Sequence, residues 1–205
     1  MSPLIAFEGP EGAGKTTQLA RLDRRLSAMG QRVLSLAEPG GTELGEAVRS
    51  LLLGGGGQTS PVAELLLFGA SRAELVAQRI LPALAAGELV LLDRFTLSSR
   101  AYQGGGRGIP QIWLEQLEFW VAGGLRPDLT LLLDLPPEQG LARAARRQPL
   151  DRMEGQGLQF HARVARVYRE AAAGDASVVL LDAAQPQEVV AERIWEQVTS
   201  RFQLP

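Results

Sequence analysis

Of the 21 basic residues in the chain, Lys15 alone is lysine and the others are arginine. That one ammonium lies in Gly9-Pro10-Glu11-Gly12-Ala13-Gly14-Lys15-Thr16, followed by Thr17, a full match to G-x-x-x-x-G-K-[ST]. A compact ammonium on a flexible stem does a different job from a planar guanidinium. The glycines admit backbone conformations in which successive amides point inward at phosphate oxygens. Lys15 would reach the β- and γ-phosphates of a nucleoside triphosphate, and the Thr16 hydroxyl would ligate Mg²⁺. A helix opening at Thr16 would aim its positive end at the same anion.

A second constellation is Asp93-Arg94, which closes the apolar run Leu89 to Leu92. At the carboxyl edge of a parallel sheet, where ligands bind in open α/β folds, an acid and a guanidinium suit phosphoryl transfer. Asp93 would organise Mg²⁺ through water, and Arg94 would hold phosphates on donor and acceptor. The loop by itself fits a kinase, a GTPase or an ATP-driven switch. The chain contains no asparagine, so it has no Asn-Lys-x-Asp guanine-reading motif. Glu11 stands early in the loop, where partition-type ATPases carry a lysine.

These groups need a scaffold, and the apolar pattern supplies one. Leu4–Phe7, Arg32–Leu36, Leu89–Asp93, Leu129–Asp134 and Val178–Leu181 read as buried strands. Helical spacing marks Thr16–Met29, Leu44–Leu53, Pro61–Ala85 with a bend or break before Pro82, Pro110–Val121, Leu158–Ala173 and Gln187–Phe202. Pro136-Pro137-Glu138 starts another helix. Gly54–Gly57 reads as a flexible break and Gln103–Gly108 as a Gly-rich loop. The charged stretch Arg143–Glu154 reads as a mobile surface segment or an anion-gripping lid. Alternating strands and helices imply an α/β fold, a five-stranded parallel sheet with helices on both faces, in one domain spanning residues 1–205.

Composition narrows the partners. A formal charge of −2 argues against a nucleic-acid surface, and no apolar run is long enough to span a bilayer. The N-terminus shows no basic region or cleavage site of a signal peptide, and the absence of cysteine suits the cytosol. The only histidine, His161, is read as structural.

Several stretches together resemble the bacterial thymidylate kinase family, over nearly the whole chain. They are Phe7–Thr17, Glu38-Pro-Gly-Gly-Thr42, Arg49–Leu53, Leu67–Arg72, Asp93-Arg94-Phe95, Ala101–Ile109, Arg126–Thr130 and Leu150–Glu154. The resemblance implies a P-loop NTPase fold with a short lid at about 143–154, and transfer of a phosphoryl group from MgATP to thymidine monophosphate (dTMP). It also implies a cytoplasmic homodimer, paired through long apolar helices such as the one containing Leu65 to Ala77. Phe68 would stack on thymine, Arg72 would donate to the base O4, and Ser99 with Gln103 would complete base recognition. Tyr102 would pack against C2′ of the sugar. Arg49 and Arg94 would grip the acceptor phosphate near Glu38, and Glu11 would approach the sugar 3′-hydroxyl or the metal. Lid residues Arg147 and Arg152 would supply the cation that other family members place in the P-loop. Ala37 and Phe95 depart from the family pattern, which has Arg and Tyr there. The rivals are a kinase for another nucleoside or nucleotide on the same fold, and an ATP-binding switch whose output is a protein contact. Phe68 and Arg147 also have plainer readings, as core and as a solvated helix face.

Overall fold

The computed structural model describes residues 2–54, 59–147 and 149–203. Gly55–Gly57 of the expected glycine break and Gln148 of the expected lid lie outside the described residues. Five strands, β1 (Leu4–Glu8), β2 (Val33–Ala37), β3 (Leu89–Asp93), β4 (Leu129–Asp134) and β5 (Val178–Asp182), form one sheet in the order β2-β3-β1-β4-β5. Every pairing is parallel, with Phe7 beside Asp93 on one flank and Leu131 on the other. The five expected strands are therefore all present, and the α/β architecture is as the sequence implies.

Side chains alternate across a strand, so β1 feeds two cores. Ile5 and Phe7 pack with Leu19, Leu22 and Leu26 of helix α1 (Lys15–Ala28) and with Val190, Ile194 and Val198 of helix α9 (Gln187–Phe202). Leu4 and Ala6 face the other way, toward Leu75, Val76 and Ile80. On that second face Leu132 meets Phe160, Val164 and Tyr168 of helix α8 (Leu158–Gly174).

The remaining helices are α2 (Glu43–Leu53), α3 (Pro61–Leu75), α4 (Leu81–Ala85), α5 (Thr96–Ser99), α6 (Gln111–Ala122) and α7 (Pro137–Arg147). Thr42 caps α2 and Ser60 caps α3, each hydroxyl accepting from a first-turn amide. The long helix expected over Pro61–Ala85 is broken as Pro82 requires. Its middle, Val76–Ile80, is wound as a π-helix, which absorbs the amide that proline lacks.

One expectation needs correction. Gln103–Gly106 is not a loop: Arg100–Gly106 forms a π-helical turn continuous with α5. Its glycines are there for packing, since a Cβ on Gly105 or Gly106 would run into Val167 or Phe160 of α8. Within the charged stretch, α7 carries the chain from Arg143 to Arg147 before turns take over at 152–155.

Candidate active site

The sheet's carboxyl edge brings β1, β3 and the loop after each into one place. Gly14, at φ 88°, is the N-cap of α1 and has no side chain to block the first-turn amides. Gly12 meets Gly140 of α7 so closely that a Cβ on either would strike the other segment's carbonyl oxygen. The loop is thereby seated directly on the helix that leads into Arg147. Lys15 is buried, and its Nζ donates to the carbonyl oxygens of Gly9 at 3.1 Å and Pro10 at 2.9 Å. Burial and the nearby Arg94 charge lower its pKa to about 8, against the pull of Glu11, Asp93 and Glu8.

Arg94 occupies a left-handed backbone conformation, φ 74°, uncommon for a side chain with a Cβ. Its Nη2 donates to Glu11 at 2.8 Å and to the Tyr102 hydroxyl at 3.2 Å. Its Nη1 donates to Gly9 O and Ser98 Oγ at 3.2 Å and to the Tyr168 hydroxyl at 3.3 Å. The Tyr102 hydroxyl also donates to Glu11 at 2.7 Å. Burial alone would raise the Glu11 pKa, but the charges of Arg94 and Lys15 and the Tyr102 hydrogen bond carry it down to about 2. Burial raises both tyrosine pKa values well above the usual range, so each phenol remains a donor.

Two side chains behind this layer were not singled out from sequence. Glu8, fully buried at the end of β1, accepts from the Phe95 and Ser98 amides at 2.8 and 3.1 Å, the Ser98 hydroxyl at 2.6 Å and the Tyr168 hydroxyl at 2.9 Å. Glu64, fully buried on α3, receives Gln103, Arg107 and Arg152. Their partners lie 39 to 160 residues away in the chain, so no local pattern reveals them. A carboxylate inside an apolar run was the one available signal.

A cavity of about 300 Å³ opens over the loop. Glu11, Gly12, Gly14, Lys15, Thr16 and Thr17 form its floor, with Asp93 and Arg94 beside them. Glu38, Arg49, Phe68, Tyr102 and Gln103 line another side of it, and Arg147 reaches in from α7. Phe68 is therefore wall rather than simple core. Ala37 also borders the cavity. A second cavity, about 630 Å³, lies across the loop and shares Gly12, Gly14, Thr17 and Arg147, with Ala13 added. The P-loop thus stands between two chambers.

Arg72, Ser99 and Arg152 sit one layer back. Arg72 is buried; its Nε donates to Glu38 at 3.0 Å and its Nη2 to Ser99 at 2.9 Å and the Phe95 carbonyl at 3.2 Å. The same Nη2 makes a 2.5 Å ion pair with the other Glu38 oxygen. Burial raises the Glu38 pKa, with Arg72 opposing it. Arg49 donates to Pro39 O at 2.7 Å. Arg152 is not on the cavity wall: it donates to Leu52 O at 2.8 Å and pairs with Glu64. Gly9 and Pro10 act through their carbonyls, as acceptors for Lys15. His161 is buried against Phe160, its ring near the Glu154 carbonyl, in keeping with a structural role.

An oxygen donor set stands ready for a hard cation. The Thr16 hydroxyl lies 2.5 Å from Asp93 Oδ2 at the cavity floor. Among the described residues no three carboxylates, histidines or cysteines cluster as a complete metal cage. One carboxylate and a hydroxyl, with phosphates completing the shell, is the pattern Mg²⁺ favours over a protein cage. No helix among the described residues is long and apolar enough to cross a membrane.

Comparison with known proteins agrees with this geometry. The thymidylate kinase family model matches residues 7–194. A thymidylate kinase of Deinococcus radiodurans is 49% identical over 198 residues, covering 96% of each chain. That of Thermomicrobium roseum is 50% identical over 201 residues, covering 97% of this chain and 95% of its own. That of Pseudomonas savastanoi pv. phaseolicola is 52% identical over 184 residues, 89% and 88% of the two. From the phosphate loop to the last helix, the chain belongs to the thymidylate kinase family.

Proposed function

We propose that the chain transfers the γ-phosphoryl group of ATP to dTMP, yielding dTDP for dTTP synthesis, with the residue roles that follow. The observation that carries the reading is the pair of chambers flanking one P-loop. A triphosphate on the loop amides, its nucleoside in the larger chamber, would point its γ-phosphate into the smaller one. That smaller chamber holds an aromatic wall at Phe68, two guanidiniums at Arg49 and Arg94, and polar groups at Tyr102 and Gln103. A switch has no use for a second nucleoside pocket.

An acceptor phosphate oxygen attacks the γ-phosphorus in line; the new O–P bond forms as the bond to the β-phosphate oxygen breaks and ADP departs. That oxygen is already ionised near neutral pH, so no general base is needed, and no enzyme-bound intermediate forms. Lys15 neutralises the β- and γ-oxygens. Arg94, fixed by Glu11 and the tyrosines, grips the acceptor phosphate together with Arg49. Glu11 takes the sugar 3′-hydroxyl. Phe68 stacks on the thymine face, Tyr102 packs against C2′, and Gln103 meets the base edge. Arg72 and Ser99 brace this wall from behind, Arg72 holding Glu38 within it. Thr16 and, through water, Asp93 would hold Mg²⁺, which would neutralise charge on the donor phosphates.

The segment 143–154 works as a lid that excludes water, the competing acceptor. Arg147, 62% exposed and shared by both chambers, is placed to add positive charge where it develops. The 205 residues work as one kinase unit in the cytoplasm. Two copies pair through α3 and α6, which present Leu66, Trp113, Phe119 and Trp120 to solvent.

A coupled ADP-release assay with dTMP, dUMP, dCMP, dGMP and AMP tests the reading. ADP formation that depends on dTMP supports it. Equal turnover with every acceptor, or slow hydrolysis indifferent to all of them, refutes it.

A further inference from the structure

Glu64 has no exposed surface and lies behind the cavity wall rather than in it. Three side chains converge on its carboxylate. Gln103 Nε2 donates to Oε1 at 3.0 Å. Arg107 grips both oxygens, Nε to Oε1 at 3.1 Å and Nη2 to Oε2 at 3.0 Å. Arg152 Nη2 completes the set with an ion pair to Oε2 at 2.8 Å. Arg107 is itself tied to Gln156 at 2.9 Å and stacked over Phe160. The carboxylate, carried on α3, is thus held from the π-turn at 100–106 with the residue that follows it and from the turn at 152–155.

An ionised carboxylate only accepts hydrogen bonds. Burial disfavours the Glu64 charge, yet the Arg107 and Gln103 hydrogen bonds and two guanidinium charges win, and its pKa is lowered. Gln103 has an amide with one donating and one accepting end, and beside Glu64 only the donating end can face inward. Gln103 also lines the smaller chamber. The end left to face the chamber is therefore Oε1, an acceptor.

We infer that Glu64 is a positioning residue that sets which end of the Gln103 amide reads the nucleobase, and so selects a base with an N–H at that edge. Thymine carries a hydrogen at N3, whereas cytosine carries a lone pair there. Against cytosine, Oε1 meets another acceptor and both are left unpaired, which binding sites built on hydrogen bonds punish heavily. This inference rests on reading the smaller chamber as the thymine site.

The test compares kcat/KM for dTMP and dCMP in the wild type and in Glu64→Gln. The replacement offers Gln103 both a donor and an acceptor, so the Gln103 amide can invert and present N–H₂ to the cytosine lone pair. We expect the dTMP:dCMP ratio to fall about tenfold or more, and Glu64→Asp, which keeps an acceptor-only group, to restore much of it. An equal fall for both nucleotides with the ratio unchanged overturns the inference. Because Glu64→Gln also strips two guanidiniums of their counter-charge, a wild-type measurement stands beside it. In the wild-type complex with dTMP, the Gln103 side-chain amide protons should show nuclear Overhauser contacts to Arg107. Contacts to the thymine ring instead would mean the inverted amide and would overturn the inference.

N3-methyl-dTMP separates this from failure of the underlying reading. If the wild type phosphorylates it as well as dTMP, Gln103 does not read the base at all. If Gln103→Ala abolishes discrimination while Glu64→Gln preserves it, the base reading stands and the role of Glu64 falls.

Discussion

Arg94 Nη2 lies 2.8 Å from Glu11 Oε1, joining the turn after β3 to the second residue past the first glycine of the P-loop. Neither side chain could hold the other without help. Arg94 is turned inward by its left-handed backbone, and Glu11 is fixed by the Tyr102 hydroxyl. The pair places a carboxylate and a guanidinium, already oriented, at the edge of the cavity over the P-loop.

That contact has a pH signature. The Glu11 pKa is about 2 in the folded chain against an ordinary 4.5, so its stabilising contribution is complete above about 4.5 and is lost as pH falls toward 2. The shift corresponds to on the order of 3 kcal/mol. Urea denaturation of the wild type and Glu11→Gln should differ most at pH 6–7 and converge as pH drops through 4 to 3. A difference that stays constant over that range would show that Glu11 is not held by Arg94 and Lys15.

Lys15→Ala should lower kcat by at least about a hundredfold, the scale for removing one preorganised donor from a charge-developing site. Substantial residual turnover would contradict its role. The lowered Lys15 pKa of about 8 predicts a second effect. Between about 8 and its unfolded value of 10.5 the unfolded chain binds the extra proton, so this group's contribution makes stability rise with pH. Lys15→Met should flatten that slope in denaturation series from pH 7.5 to 10. In the same window kcat/KM for ATP should fall in the wild type as the ammonium deprotonates.

What sequence could reveal depended on how local the cause was. The P-loop was legible because glycine, lysine and threonine at fixed spacing state a backbone geometry outright. The strands were legible because short apolar runs, two of them closed by Asp93 and Asp134, match a sheet covered on both faces. Gly104–Gly106 misled for a physical reason. Glycine weakens isolated helix, but here its bare backbone lets α8 approach, and packing overrides propensity. Arg72 and Arg152 were recognisable as functional-region residues, yet their partners Glu38, Ser99, Glu64 and Leu52 O are set by tertiary contact. Their place behind the wall, rather than in it, was out of reach.

Phe68 forms part of the wall of the cavity over the P-loop and is only half-buried. Stacking on a base is worth about 1–3 kcal/mol by alanine substitution. Phe68→Ala should therefore weaken dTMP binding roughly 5- to 150-fold by titration calorimetry, with ATP affinity little changed. Unchanged dTMP affinity would mean the ring only fills space.

The two lid arginines should separate. Arg147 is 62% exposed and its contact to Glu154 is long at 3.4 Å. Arg152 is 17% exposed and bound to both Glu64 and the Leu52 carbonyl. A loosely held cation at the chamber mouth suits transition-state charge; a buried tether suits architecture. Arg147→Ala should cut kcat by about 10- to 1,000-fold with the melting temperature nearly unchanged. Arg152→Ala leaves Glu64 short of a partner and should lower the melting temperature and raise KM for dTMP. The opposite split would reassign the catalytic cation to Arg152.

The apolar faces of α3 and α6 make the last prediction. Trp120 is 80% exposed and Phe119 66%, with Trp113 and Leu66 also open to solvent on these two helices. Leaving such large rings in water forfeits about 1.5–3 kcal/mol per side chain that burial would return. A second copy offering the same surface across a two-fold axis would bury both sets at once. Sedimentation equilibrium should therefore give about twice the 22.0 kDa chain mass. Trp120→Glu, which would place a charge in that interface, should shift the population to monomer while leaving the far-ultraviolet circular dichroism intact. A wild type that sediments as monomer at tens of micromolar would overturn the pairing, and a Trp120→Glu variant that stays dimeric would move the interface elsewhere.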